Sequence, residues 1–309
     1  MAGHADTFHH VRDFPYFEVP KLLGGEWDLP MLGNWQLTKF MVLQTVAALF
    51  VLYIFRGLAK RIASGQPAEG AWWNFWESLA LAIRDGVVRP TIGDGHHDDH
   101  QASEHGHDEA TGHGDQATAH ATHGHGASRA MGHPADKYLP YIWSCFFYVL
   151  ICNLLGAIPW LGSATGSLWM TGMLAIWTLL VVIYYGSREL GFVGFWKALA
   201  PSMDLPFALK LGLLPMIWVI ELMGLLIKHG VLAVRLFANV MAGHTVIATM
   251  LGFVSHPAVT DSALIWLVAP ASIFGQIAIG MLELFVAFLQ AYIFAFLATL
   301  FIGTAVHPH

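Results

Sequence analysis

Leu225-Leu226-Ile227-Lys228-His229-Gly230-Val231-Leu232-Ala233-Val234-Arg235-Leu236-Phe237-Ala238-Asn239 is the stretch whose reading decides the fold. It lies within one of the longest apolar runs of the chain, yet it carries the guanidinium of Arg235. An ionisable group at membrane depth costs from about 3 to more than 10 kcal/mol, depending on the reference state. Packing alone rarely repays that cost, so Arg235 reads as a functional group. The competing reading is an arginine that snorkels to an interface from a helix end. Apolar residues on both sides of Arg235 weigh against it.

The whole chain has the composition that this stretch suggests. Of 309 residues, 56% are hydrophobic and only 12% are charged, about half the charged share of a soluble domain. Several windows exceed the ~20 apolar residues needed to span a bilayer. The expected fold class is therefore an all-α polytopic membrane protein. The net charge of −6 says little, because much of the acid sits in one loop. No basic stretch leads into an apolar core near the amino terminus, so no cleaved signal peptide is expected. Cys145 and Cys152 are seven apart in one apolar helix, ~10 Å along its axis. That is too far for a disulfide, and they read as small core residues.

Outward from the deciding stretch, a first span is expected from about Trp35 to Gly57, followed by Lys60 and Arg61. Next, Trp72, Trp76, Leu79, Ile83 and Val87 recur at helical spacing between flanking charges. That pattern suits an amphipathic helix lying along the membrane interface. A second span covers about Tyr138 to Ile158 and stops at Pro159, and a third covers about Leu168 to Tyr185. The last two apolar segments, about Phe207–Phe253 and Ala263–Val306, would each be roughly 65–70 Å long as one helix. A bilayer core is only ~30 Å thick. Each is therefore either two spans or one strongly tilted helix, and no strong breaker divides the final one. Arg56, Lys60 and Arg61 place the end of the first span in the cytoplasm by the positive-inside rule, and Arg188, Lys197 and Lys210 do the same for the third. Five crossings then leave the amino terminus outside and the carboxyl terminus in the cytoplasm.

Between Gly93 and Ala135 the composition changes. The segment holds ten histidines with interspersed Asp and Glu, and it lacks aromatic and branched aliphatic residues. Such a tract cannot bury enough surface to fold alone and reads as a disordered spacer. Its histidines, His96, His97, His100, His105 and His107 among them, could also bind a divalent metal weakly.

Glu221, Lys228 and Arg235 are spaced seven apart and fall within roughly 40° on one helix face, with Asn239 extending the stripe. Gln276, Glu283 and Gln290 repeat that spacing in the last segment. Two long apolar helices with one polar seam each have the form of a buried proton or ion path. Mutual satisfaction of two seams as structural glue is the plainer alternative, but it does not account for the ionisable groups. His244 lies nine residues past Arg235, about 180° around an ideal helix. It could instead face Glu283 on the neighbouring helix, where an imidazole beside a carboxylate makes a proton relay.

Arg235-Leu236-Phe237-Ala238-Asn239-Val240-Met241-Ala242-Gly243-His244 closely resembles the signature of subunit a of F-type ATP synthase. Asn153-Leu154-Leu155-Gly156-Ala157-Ile158-Pro159 is similar to the end of that family's second span, and Leu289-Gln290-Ala291-Tyr292-Ile293-Phe294 to its final-helix motif. Glu221 stands at the family's spacing before the arginine. The resemblance covers about residues 35–306 outside the His-rich insertion, which the family pattern does not explain. Ala238 stands where the family commonly has Gly.

The resemblance implies two long, membrane-inclined helices wrapping a rotor ring, and a stator subunit that carries protons to it through two half-channels. Arg235 would face the rotor carboxylate. Asn239, His244, Glu283 and Gln290 would match the inlet half-channel, and Glu221 the outlet side. Some family members have Glu and His exchanged at the positions of His244 and Glu283, which supports the two as partners. The subunit would not be an enzyme by itself and would need no cofactor. Its partners would be the rotor ring of subunit c, subunit b of the peripheral stalk, and the lipid of a cell inner membrane, with no nucleic acid. The implied domain plan is an extramembrane segment at 1–34, the first span and interfacial helix at 35–92, the disordered cytoplasmic loop at 93–135, and a helical proton-channel domain at 136–309. The rival reading is a zinc or other divalent-metal transporter with a His-rich loop. Against it, the central intramembrane group is a cation, which would repel such a substrate.

Overall fold

Apolar runs that must cross a bilayer fold as helices, because only a helix satisfies all its backbone groups within one segment. The computed structural model describes residues 13–18, 26–32, 35–62, 70–93, 133–158, 162–199, 207–254 and 265–306. Five helices among them are long and apolar enough to cross a membrane, and the fold is that of an all-α polytopic membrane protein. The spans are α1 (Lys39–Ile62), α4 (Leu139–Gly156), α5 (Leu168–Leu190), α7 (Phe207–Val254) and α8 (Ile265–Val306). Between α1 and α4 lies an interfacial helix, α2 (Ala71–Ile83), which runs through a π-helical segment, Arg84–Val88, into α3 (Arg89–Gly93). A short helix not expected from the sequence, α6 (Phe192–Ala198), follows α5.

Ahead of α1, four short strands form two antiparallel pairs: β1 (Tyr16–Glu18) with β2 (Glu26–Asp28), and β3 (Met31–Leu32) with β4 (Trp35–Gln36). Trp35 thus pairs with Leu32 in a strand and does not open the first span, as the sequence had suggested. The helix starts where its first N–H groups find acceptors. Lys39 N–H donates to the Phe14 carbonyl at 2.9 Å, and Phe40 N–H to Asp13 Oδ1 at 3.1 Å. A carboxylate at that end also suits the helix dipole.

The interfacial helix buries a face shifted from the expected one. Trp76, Ala80, Ile83 and Val87 are buried, whereas Trp72 is 51% exposed. Trp143 of α4 donates its indole N–H to the Ala80 carbonyl at 2.9 Å. Arg89 holds Asp136 through two bonds of 3.2 and 3.1 Å, tying α3 to the 3-10 turn that leads into α4. The chain therefore returns close to where it left. Residues 94–132, most of the His-rich tract, lie outside the described residues, and so do His96, His97, His100, His105 and His107.

Helix α4 is the centre of the core. Its residues from Cys145 to Asn153 are buried nearly without interruption, as expected of a helix apolar all round. Both cysteines are free and buried there. Phe146, Phe147, Leu232, Leu236, Phe294 and Ile302 meet in the same core cluster, which joins α4, α7 and α8.

The length puzzle resolves in favour of single helices. α7 runs 48 residues and α8 runs 42, about 72 and 63 Å at 1.5 Å per residue. Helices of that length stay within a ~30 Å core only when strongly inclined. Pro215 and Pro270 both lie inside these helices, near the amino-terminal ends, where little preceding helix is disturbed.

Candidate functional site

The spacing of seven holds on α7, and the stripe it makes faces outward. Glu221, Lys228 and Arg235 are all exposed, as are the apolar Ile227, Val231 and Val234 beside them. Ile227, Gly230, Val231, Val234 and Arg235 line an open apolar groove. Lys228 Nζ sits 3.9 Å from Glu221 Oε1, with both side chains about half exposed, so the pair is a weak one. Arg235 has no hydrogen-bond or ion-pair partner among the described residues. The structure thus disposes of the mutual-glue reading for this cation, because the seam of α8 does not satisfy it.

Across the α7–α8 contact the second seam meets α7 at Glu283. Its last member, Gln290, is 4% exposed, and Gln290 Nε2 has no hydrogen-bond partner among the described residues. Glu283 comes up against α7 at Gly243. A Cβ added there would lie 3.0 Å from both Cδ and Oε1 of Glu283 and 3.3 Å from Oε2. Only a residue without a side chain admits the carboxyl group so close to the helix. His244 is the next residue and is partly buried, so the structure brings Glu283 to the helical turn of His244. Asn239, also partly buried, lies between the exposed Arg235 and this contact along α7. Glu221 stands apart from that group, 14 residues before Arg235 on the outward stripe. Ser272 Oγ donates to the Met250 carbonyl at 3.2 Å and fastens the two helices at their other end.

Asn153 and His229 are among the buried polar residues outside the set read from the sequence. Asn153 of α4 is 4% exposed, and neither its Oδ1 nor its Nδ2 has a hydrogen-bond partner among the described residues. An amide inside an apolar span was the available signal. His229 is 2% exposed on α7, one residue past Lys228 and about 100° around the helix from it, on a buried side. Its Nδ1 is 2.8 Å from the Leu225 carbonyl oxygen, its ring centroid is 4.7 Å from that of Phe301, and Nε2 has no partner among the described residues. Its i−4 carbonyl bond and aromatic contact make it a packing histidine.

A cavity of about 160 Å³ opens between α1, α4, α5 and α7. Gln44, Tyr148, Cys152, Thr165 and Thr171 give it polar groups, and it reaches Leu236, the neighbour of Arg235. It is large enough to hold several waters. Among the described residues there is no cluster of three or more metal-ligating side chains.

These features define a polytopic helical membrane protein with an arginine, unpaired among the described residues, on the outer face of one long helix, and a carboxylate of a second long helix set against it. Comparison with known proteins is more specific. The model of the ATP synthase A chain family matches residues 122–303, more than half of the chain. The chain is 31% identical to ATP synthase subunit a of Chloroherpeton thalassium, over 97% of its own length and 76% of that protein's. It is 32% identical to the subunit a of Myxococcus xanthus, over 94% of its length and 79% of that protein's. A match to the subunit a of an Anaeromyxobacter reaches 39% identity over 57% of this chain. The chain belongs to the ATP synthase subunit a family.

Proposed function

We propose that this chain is the membrane stator that conducts protons to and from a rotor ring through two half-channels, and so couples proton translocation to rotation. One observation carries the reading: Arg235 stands on an exposed apolar face with no partner among the described residues, while Glu283 is folded against the same helix about two turns further on, at Gly243. A cation without an internal partner at membrane depth calls for an external one. An ionised carboxylate on a rotor helix is the partner that would repay its desolvation.

The chemistry follows from the side chains. Guanidinium stays protonated, so Arg235 stabilises a passing carboxylate without relaying its proton. Protons then cannot run straight from one half-channel to the other. They board a rotor carboxylate on the inlet side, travel around with the ring, and leave on the outlet side. The cavity between α1, α4, α5 and α7, large enough for several waters, supports an inlet from one membrane face. Asn239, His244, Glu283 and Gln290 would carry the proton from there to the rotor. Glu221, on the outward stripe beyond Arg235, would receive it on the outlet side. Each charge moved through 100 mV releases about 2.3 kcal/mol. ATP chemistry would occur on other chains, and subunit b of the peripheral stalk would hold this one against the rotor's torque. The basic end of α1 supports an amino terminus outside the inner membrane and a carboxyl terminus in the cytoplasm.

Family membership lends no support to divalent-metal transport. Cysteine cross-linking tests the rotor interface directly. Val231→Cys, Val234→Cys and Ala238→Cys, all on the exposed face, should cross-link to a small membrane hairpin subunit in the assembled complex. An assembled complex in which none of the three cross-links to such a subunit would contradict the assignment.

A further inference from the structure

The end of α1 and the start of α2 are held together by a clasp of aromatic rings and a cation. The Arg61 guanidinium lies 4.1 Å from the Trp73 ring centroid, and the Tyr53 ring is 5.8 Å from that of Trp73. A side chain at Gly57 would overlap the Trp73 ring, so its absence lets α2 seat directly on α1. Beside this clasp, Arg56 and Lys60 are exposed and neither forms an ion pair or hydrogen bond among the described residues. They are neighbours at i and i+4 on one face of α1. On α2, Trp72 and Phe75 are exposed at 51% and 48%. Two exposed cations thus stand at the end of a membrane span, and the helix seated on that end exposes two aromatic rings.

We propose that this surface is a binding site for the phosphate of an anionic phospholipid, with Arg56 and Lys60 holding the headgroup and Trp72 and Phe75 packing beside its acyl chains. Charge complementarity favours that occupant. From Arg56 to Ile83 the sequence carries Arg56, Lys60 and Arg61 against two carboxylates, Glu69 and Glu77. Basic groups at a span end attract anionic lipid by about 1 kcal/mol each, and aromatic rings settle at headgroup depth. Such a lipid is already present at this depth, so no partner chain has to be recruited. The site is separate from Arg235 and asks nothing of the proton path.

The test uses the whole complex, purified in detergent and exchanged into vesicles of phosphatidylcholine or of phosphatidylcholine with phosphatidylglycerol. Lipid retained on re-extraction is measured by native mass spectrometry. Wild type should retain phosphatidylglycerol in preference to phosphatidylcholine. The Arg56→Gln/Lys60→Gln variant should lose that preference, by about fivefold for each cation removed. The charge-preserving Arg56→Lys/Lys60→Arg variant should keep it. If the double Gln variant does not assemble, each single Gln variant should show half of the loss on a logarithmic scale. An unchanged preference in any assembled Gln variant overturns the proposal. So does loss of a stalk subunit at unchanged lipid preference, which would make the patch a protein dock.

Discussion

Gly243→Ala places a methyl group between α7 and the Glu283 carboxyl. The new Cβ would meet Cδ and Oε1 at 3.0 Å and Oε2 at 3.3 Å, where ordinary contacts of carbon lie at about 3.5–4.0 Å. The carboxyl must therefore retreat by about 0.5 Å. Overpacking costs about 1–3 kcal/mol, and the low end applies because the displaced atoms are the free end of a flexible chain. Alanine in a helix interior returns about 1 kcal/mol relative to glycine. The two nearly cancel, so assembly and thermal stability should stay close to wild type. Function should not, because the proposed relay depends on where Glu283 sits. A barrier raised by about 1 kcal/mol slows proton transfer about fivefold. Gly243→Val, whose extra methyl groups reach further, should stop it. Withdrawing the carboxyl by one methylene, in Gly243→Ala/Glu283→Asp, should recover part of the loss, a coupling that a double-mutant cycle reads out. ATP-driven acidification of inverted membrane vesicles, normalised to assembled complex, measures all three. Wild-type pumping by assembled Gly243→Val would refute the reasoning.

Neutral substitution of either His244 or Glu283 should slow pumping, and the exchange His244→Glu/Glu283→His should restore part of it. Strictly additive losses would mean that the two do not act together. Replacing residues 94–132 with a short Gly/Ser linker should leave assembly and pumping near wild type, because Arg89 and Asp136 already hold the two ends together. A Zn²⁺ or pH sensitivity near 6.5 that disappears with the tract would expose a role for its histidines, while failure to assemble would refute the spacer reading. At the interfacial helix, the hydrogen bond from Arg84 holds the Asp85 carboxyl below its usual range, against a smaller opposing effect of burial. A depressed folded value gives stability that is present above the unfolded pKa of ~3.9 and is lost as pH falls through the folded one. Asp85→Asn should therefore lower the melting temperature slightly at neutral pH, with a difference that shrinks below about pH 4. An equal difference at both pH values would exclude the ion pair as the cause.

The spans were legible in the sequence because apolar length is a strong signal, and the spacing of Glu221, Lys228 and Arg235 correctly put them on one face. Their environment was not legible. Only the packing of α7 against α5 and α8 shows that this face is the outward one. Element ends depended on partners distant in sequence. The start of α1 is set by Asp13 and Phe14, and the buried face of α2 by Trp143 and the core under Trp76. The seven-residue α6 is too short for periodicity to reveal. Spacing also suggested that His244 and Glu283 could meet across two helices, but it could not show that Gly243 is what admits the carboxyl group. The buried Asn153 stood within a recognisable motif, yet its isolation from hydrogen-bond partners is visible only in three dimensions.

The central claim is that Arg235 is the fixed charge on which rotor carboxylates depend. ATP synthesis driven by an imposed proton gradient, measured in membranes whose complex is assembled to wild-type levels, tests it most directly. Arg235→Ala should give no synthesis above background. Arg235→Lys should also fail, because a desolvated ammonium can lose its proton and lacks the planar fork. Near-normal synthesis in assembled Arg235→Ala membranes would contradict the account.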